Sequence, residues 1–174
     1  MLDERQWREE CGVVGLAGVE GAAELASLAL HALQHRGQES AGISVGDGLQ
    51  LATRKKMGLV ADVFDEATLK SMTGHFAIGH VRYSTSGSSH IINAQPIQVA
   101  SAKGAIALAH NGNLVNAPQL RKAMEASGSI FSTTSDSEVI LHMVARSERE
   151  TVEDALAEVL PHVKGAYSLV VLTR

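Results

Sequence analysis

Apolar and polar positions along this chain follow two periods, and the switches between them mark out the elements. "CGVVGLAG" (11–18) is a short apolar run rich in glycine and reads as a buried strand. In "EGAAELASLALHALQHRG" the apolar residues recur at helical spacing. Leu25, Leu28, Ala29, Ala32 and Leu33 share one face, and Gly37 supplies the stop. The period then drops to two. "SAGISVGDGLQLATRK" predicts a β-hairpin with Ile43 and Val45 facing Leu49 and Leu51 across Asp47-Gly48. "FAIGHVRY" and "AIALAHNG" are further strands, helices are expected at 118–127, 136–146 and 152–160, and "YSLVVLT" closes as a strand. Ser135 and Glu138 in "SDSE" have capping-box spacing, which places Asp136 in the first turn of its helix. Hairpin-like strand pairs come first and helices are partly segregated from them, so the expected class is α+β, not an alternating parallel fold.

Composition narrows the setting. A chain of 174 residues, 45% hydrophobic and 20% charged, suits one soluble globular domain with no linker or repeat. A net charge of -4 gives no attraction to phosphate backbones or anionic lipid, which argues against nucleic acid and membrane surfaces as partners. No apolar run approaches a membrane span. The leader "MLDERQWREE" is polar and acidic, unlike a signal or transit peptide. A cytoplasmic, reducing compartment is expected, in which the single thiol stays reduced.

That thiol, Cys11, opens the chemistry. Gly12, Gly15 and Gly18 follow it, so a ligand can approach the backbone closely. Were residues 1–10 removed, Cys11 would carry a free α-amine of pKa about 7.7–8, a base tethered beside its own sulfur. The alternative is a small buried structural residue. Asn111 and Gly112 follow an apolar strand. They could aim a side-chain amide and a backbone N–H at one point as an oxyanion hole, or form an Asn-Gly turn. Arg82, at a strand end, could grip a carboxylate through two parallel hydrogen bonds or lie on the surface. Asp136 could bind a cation or serve its helix dipole. His31 and His35 share a helix face, but no third ligand accompanies them, and no metal is expected. Walker, nucleophile-elbow and dinucleotide motifs are absent.

Seven blocks in order, "ECGVVG", "LQHRGQESAGI", "GLVADVF", "GHVRYSTSG", "NAQP", "LAHNGNLVN" and "SDSEV", resemble the N-terminal glutaminase domain of the amidophosphoribosyltransferases. These are class II glutamine amidotransferases, and the likeness covers the chain from Glu10 onward. Glucosamine-6-phosphate synthases would show "YRGYDS" and "TRWATHG" blocks instead, where this chain has "HRGQES" and "VRYSTSG".

The resemblance implies the N-terminal nucleophile hydrolase fold, a four-layer αββα sandwich of two antiparallel sheets, here ending short of the family's usual C-terminal boundary. It implies that residues 1–10 are a propeptide and 11–174 an incomplete glutaminase domain without the phosphoribosyltransferase domain. Cys11 would be the nucleophile, with Asn111 and Gly112 holding the oxyanion. Arg82 would bind the α-carboxylate of glutamine and Asp136 its α-ammonium, with Tyr83, Thr85, Arg36 and Gly37 also lining the substrate site. Ammonia would pass to phosphoribosyl pyrophosphate on the further domain. No cofactor is expected in this segment; Mg2+ and an iron–sulfur cluster would belong to the remainder of a homo-oligomeric enzyme. Three rival functions stand beside this one: a non-catalytic glutamine- or partner-binding domain of the same fold, the glutaminase half of another amidotransferase, and a thiol-regulated interaction domain.

Overall fold

A computed structural model of the chain describes residues 11–83 and 90–174. Within them, strands β1 (Gly12–Leu16), β2 (Ser40–Gly46), β3 (Leu51–Met57) and β4 (Phe76–Arg82) form an antiparallel sheet in the order β1-β4-β2-β3. Strands β5 (Ile97–Ser101), β6 (Gly104–Leu114) and β7 (Gly165–Thr173) form a second, in the order β5-β6-β7. Helices α1 (Ala22–Ala32), α2 (Val60–Val63) and α3 (Glu66–Ser71) cover the outer face of the first sheet. Helices α4 (Ala117–Ala126), α5 (Glu138–Arg146) and α6 (Val152–Val159) cover the second. Between the sheets lies a thin layer of Ile78, Ala107, Ala109 and Leu172, with Val13, Leu51 and Val170 against it. The four layers are those of the expected αββα sandwich.

Alternation along each strand assigns its two faces. On β2, Ala41, Ile43 and Val45 pack under the helices, while Ser40, Gly42 and Ser44 face the other sheet. Every residue of β2 is buried, because it is covered on both sides. The hairpin is present but not in the expected register. Val45 pairs with Ala52 and Gly46 with Leu51, so Leu49 lies in the turn and is 77% exposed. Asp47 Oδ1 accepts from the N–H groups of Leu49 and Gln50, both at 2.8 Å, and this Asx turn widens the loop beyond a two-residue connection.

Helix α1 forms where expected and buries the opposite face from the one its leucines mark. Ala22, Ala23, Ala26 and Leu30 are fully buried, whereas Leu25 and Leu28 are exposed. The reason is close approach. A Cβ at Gly79 would sit 2.9 Å from Leu30 Cδ1, and one at Gly12 would sit 3.1 Å from Leu33 Cβ. The helix lies so near β1 and β4 that the alanine face fits against them, with Leu30 seated over Gly79 and Leu33 over Gly12. It ends at Ala32, and a 3-10 turn, Gln34–Arg36, carries the chain on to Gly37, whose N–H closes that turn.

The loop before α5 also departs from expectation. The helix starts at Glu138, not 136, and its N-cap Ser137 makes no side-chain cap bond. Glu138 reaches back instead: its carboxylate accepts from the N–H groups of Ser132 and Thr133 and from Thr133 Oγ1, each at 2.8 Å. Asn93 holds the same loop from outside, donating to Thr134 Oγ1 and accepting from the Thr134 N–H. Asp136 therefore sits in a pinned turn just ahead of the helix.

Candidate active site

Cys11 enters β1 beside the end of β4. The Tyr83 N–H donates to Cys11 Sγ at 3.4 Å, and the thiol faces the Tyr83 carbonyl at 3.7 Å. Arg36 Nε donates to the Cys11 carbonyl at 3.2 Å. Gly37 runs against β4 so closely that a Cβ there would lie 2.7 Å from the Val81 and Arg82 carbonyl carbons. Glu39 closes the group, its N–H donating to the Arg82 carbonyl at 3.0 Å and its carboxylate pairing with the Arg82 guanidinium. Arg82 is buried on the face turned toward the second sheet, so the surface-arginine alternative does not hold. Burial pushes the Cys11 thiol up, and the Tyr83 N–H and the Arg82 charge pull it down without overcoming that effect.

The second group is built on β6. Asn111 and Gly112 lie inside this strand, paired with Ser168 and Tyr167, and not in a turn. Gly112 has φ +137, and a Cβ there would lie 2.2 Å from the Ala166 carbonyl oxygen, so no other residue fits. Strand β5 stops pairing at Ile97, opposite Leu108. From there to Leu114 one edge of β6 has no neighbouring strand among the described residues, and side chains take over its backbone bonds. Gln95 Oε1 accepts the His110 N–H at 2.7 Å and Asp136 Oδ2 accepts the Leu114 N–H at 2.9 Å. Strand alternation turns the Gly112 N–H to this same edge, between those two.

Asp136 is the end of a donor chain. His110 Nδ1 lies 2.8 Å from Ser137 Oγ and 3.5 Å from Asp136 Oδ1, and Ser137 Oγ donates to Asp136 Oδ1 at 3.3 Å. Burial pushes the Asp136 carboxyl up, but hydrogen bonds from His110, the Leu114 N–H and Ser137 outweigh it and leave it below the usual carboxylate range. Its side chain keeps 29% exposure, enough for a cation to reach it.

The candidates thus fall into two groups on facing sheets: Cys11, Arg36, Gly37, Arg82 and Tyr83 on one, and Asn111, Gly112 and Asp136 on the other. Among the described residues no hydrogen bond joins Cys11 or Tyr83 directly to Asn111 or Asp136. Thr85 and residues 1–10 lie outside the described residues. Sequence reasoning passed over Glu39, which holds Arg82, and His80, Gln95, His110 and Ser137, which brace β6 and Asp136. Glu39 and His110 stand inside the blocks "HRGQES" and "AHNG", and that position is the one signal that marks them. No group of three or more His, Cys, Asp or Glu among the described residues could hold a metal ion. No helix among them is long and apolar enough to cross a membrane.

Two antiparallel sheets packed face to face between helical layers, with a cysteine entering the first strand, define the N-terminal nucleophile hydrolase fold. The sequence profile of the glutamine amidotransferase domain matches residues 80–174, and the chain belongs to that family. It is 52% identical over 172 residues to the chloroplastic amidophosphoribosyltransferase of Vigna aconitifolia, covering 98% of this chain and 35% of that one. It is 48% identical over 166 residues to the amidophosphoribosyltransferase of Bacillus subtilis, covering 95% and 35%. Among solved structures, glutamine phosphoribosylpyrophosphate amidotransferase from B. subtilis, complexed with ADP and GMP, superimposes with a TM-score of 0.86 at 45% identity, over 92% of this chain and 35% of that one. The chain spans about a third of the length of these relatives.

Proposed function

We propose that this chain is the glutaminase domain of an amidophosphoribosyltransferase, hydrolysing glutamine to glutamate and ammonia through a thioester on Cys11. The observation that carries the reading is the pairing of two edges. Cys11 stands at the start of one sheet with the Tyr83 N–H on its sulfur, and the facing sheet carries Asn111 and Gly112 on β6, whose edge away from β7 has no neighbouring strand there among the described residues.

In this reading residues 1–10 are a propeptide, and their removal frees the Cys11 α-amine. The amine takes the thiol proton as Sγ attacks the side-chain carboxamide carbon. A C–S bond forms, and the carbonyl electron pair moves onto oxygen, where the Asn111 side-chain amide and the Gly112 N–H stabilise it. Collapse breaks the C–N bond, and the amine returns its proton to the departing ammonia. Water then cleaves the thioester to glutamate and regenerates the thiol. Arg82, oriented by Glu39, holds the substrate α-carboxylate, and Asp136 holds the α-ammonium. Tyr83, Thr85, Arg36 and Gly37 complete the pocket wall.

The fate of the ammonia follows from the relatives' names. We infer transfer to phosphoribosyl pyrophosphate, giving phosphoribosylamine at the first step of purine synthesis, in a reducing compartment such as the cytoplasm. We infer a homo-oligomer. The Mg2+ and iron–sulfur cluster expected of the whole enzyme find no ligand set among the described residues: one cysteine cannot ligate a cluster that takes four thiolates. No step above uses either.

The test is Cys11→Ala in the amidophosphoribosyltransferase. Glutamate release is expected to disappear while synthesis from supplied ammonia continues, because the two reactions use separate sites. Glutamate release at the parent rate would refute the reading. The non-catalytic alternative requires Met1 to remain in the mature protein, so an intact mass lacking residues 1–10 excludes it.

A further inference from the structure

His110 has both its backbone groups on the edge of β6 that β5 leaves uncovered. Gln95 Oε1 takes the N–H at 2.7 Å, and His80 Nε2 lies 3.0 Å from the carbonyl oxygen. A carbonyl can only accept, so His80 is the Nε2–H tautomer. Its other nitrogen, Nδ1, is buried with no partner among the described residues. The ring is fully buried, and desolvation pushes its pKa down to about 3, so it is neutral.

The ring satisfies the His110 carbonyl but leaves its own Nδ1 unpaired among the described residues, so it gains little net stability. What the ring achieves is a connection. His80 lies on β4 opposite Val13 of β1, two residues from Cys11. His110 immediately precedes Asn111 and Gly112. Around this bond the layer between the sheets mixes small side chains, Ala107 and Ala109 with Ser40, Gly42 and Ser44 on β2, and a few larger ones, Val13, Ile78 and Val170. Apolar contacts are non-directional and do not by themselves fix the offset of one sheet against the other. A directional hydrogen bond does.

We propose that His80 is a positioning residue for the oxyanion donors, its Nε2–H tying the strand that carries Asn111 and Gly112 to the sheet that carries Cys11. This rests on the reading of Cys11, Asn111 and Gly112 given above. The tie acts on the transition state. Oxyanion donors must sit within about 0.5 Å of their productive position, so a drift of β6 weakens charge stabilisation at the reacting carbon. Glutamine binding changes less, because Arg82 lies on β4 itself and the loop of Asp136, although bonded to the Leu114 N–H of β6, is held independently by Asn93 and Glu138.

The test compares three replacements. His80→Gln keeps an N–H that reaches the same carbonyl, His80→Asn has an amide too short to reach it, and His80→Leu has no donor. Glutamine hydrolysis is measured per alkylatable Cys11 in enzyme whose thermal melting shows it folded. The Asn and Leu variants are expected to lose about tenfold or more in kcat with glutamine KM within about twofold, and Gln to stay within about threefold of the parent. If His80→Leu does not fold, the Gln and Asn pair decides alone. Equal kcat in Gln and Asn overturns the proposal, as does a loss carried by KM. Cys11→Ala is assayed alongside. Glutamate release by that variant would overturn both readings, whereas an inactive Cys11→Ala beside fully active His80 variants would overturn the tie alone.

Discussion

The Tyr83 N–H donates to Cys11 Sγ across 3.4 Å, which makes the end of β4 the immediate surroundings of the only thiol in the chain. An amide on sulfur favours the thiolate, but burial favours the thiol, and burial is the larger effect here. In the proposed reading this unactivated thiol is the state of Cys11 before residues 1–10 are removed.

That state has a pH signature. A raised pKa leaves less thiolate at any given pH, so Cys11 in the unprocessed chain is expected to react with iodoacetamide with a midpoint above the roughly 8.5 of a free thiol. Removing residues 1–10 places an α-ammonium beside the sulfur, and the midpoint falls. Alkylation rates measured against pH on both forms check this; coincident curves would show that the new N-terminus does not reach the thiol.

Arg82 and Glu39 form a buried pair, and the pair makes a prediction about substrate binding. Arg82→Lys replaces a planar fork by a point charge and is expected to raise the glutamine KM by about tenfold or more. Glu39→Gln, which leaves the guanidinium in place but less firmly oriented, is expected to raise it by about three- to tenfold. Asp136→Asn, losing the charge opposite the α-ammonium, also raises KM. Steady-state glutaminase kinetics read all three, and an unchanged KM in Arg82→Lys would return Arg82 to a purely structural role.

His80 adds a pH-dependent term to stability. Its pKa is about 3 in the fold and about 6.5 in an unfolded chain, so between these values the unfolded state binds a proton that the native state does not. Native stability is therefore lost as pH falls below about 6.5, and the loss from this group between pH 7 and pH 5 is about 2 kcal/mol. Denaturant titrations of parent and His80→Gln at the two pH values isolate it. The variant is expected to lose about 2 kcal/mol less than the parent over this interval, and equal losses would show that His80 is solvated.

Much of this arrangement was legible in the sequence, and the misses have definite causes. The strands around Cys11, Arg82 and Asn111 were legible as short apolar runs bounded by glycine or polar residues. Helix α1 was legible as a helix but not in its orientation. Periodicity ranks Leu25 and Leu28 above Ala22 and Ala26, and it cannot know that Gly79 and Gly12 open the sheet surface to Leu30 and Leu33 on the alanine side. Asn111-Gly112 taken alone read more readily as a turn, since a two-residue motif does not reveal that β7 pairs alongside it. The bracing by Gln95 and His80 was invisible for a similar reason. Both side chains matter because β5 stops at Ile97, and that event belongs to the sheet and not to any local stretch of sequence.

The central claim is that Cys11 carries the acyl group of glutamine, and trapping that species tests it most directly. The enzyme is mixed with glutamine, quenched in acid during turnover, digested and read by mass spectrometry. The account predicts a peptide that begins at Cys11 and carries one γ-glutamyl group, absent when Cys11→Ala is treated in the same way. Steady glutamate release with the Cys11 peptide unmodified, or with the acyl group on any other residue, would contradict it.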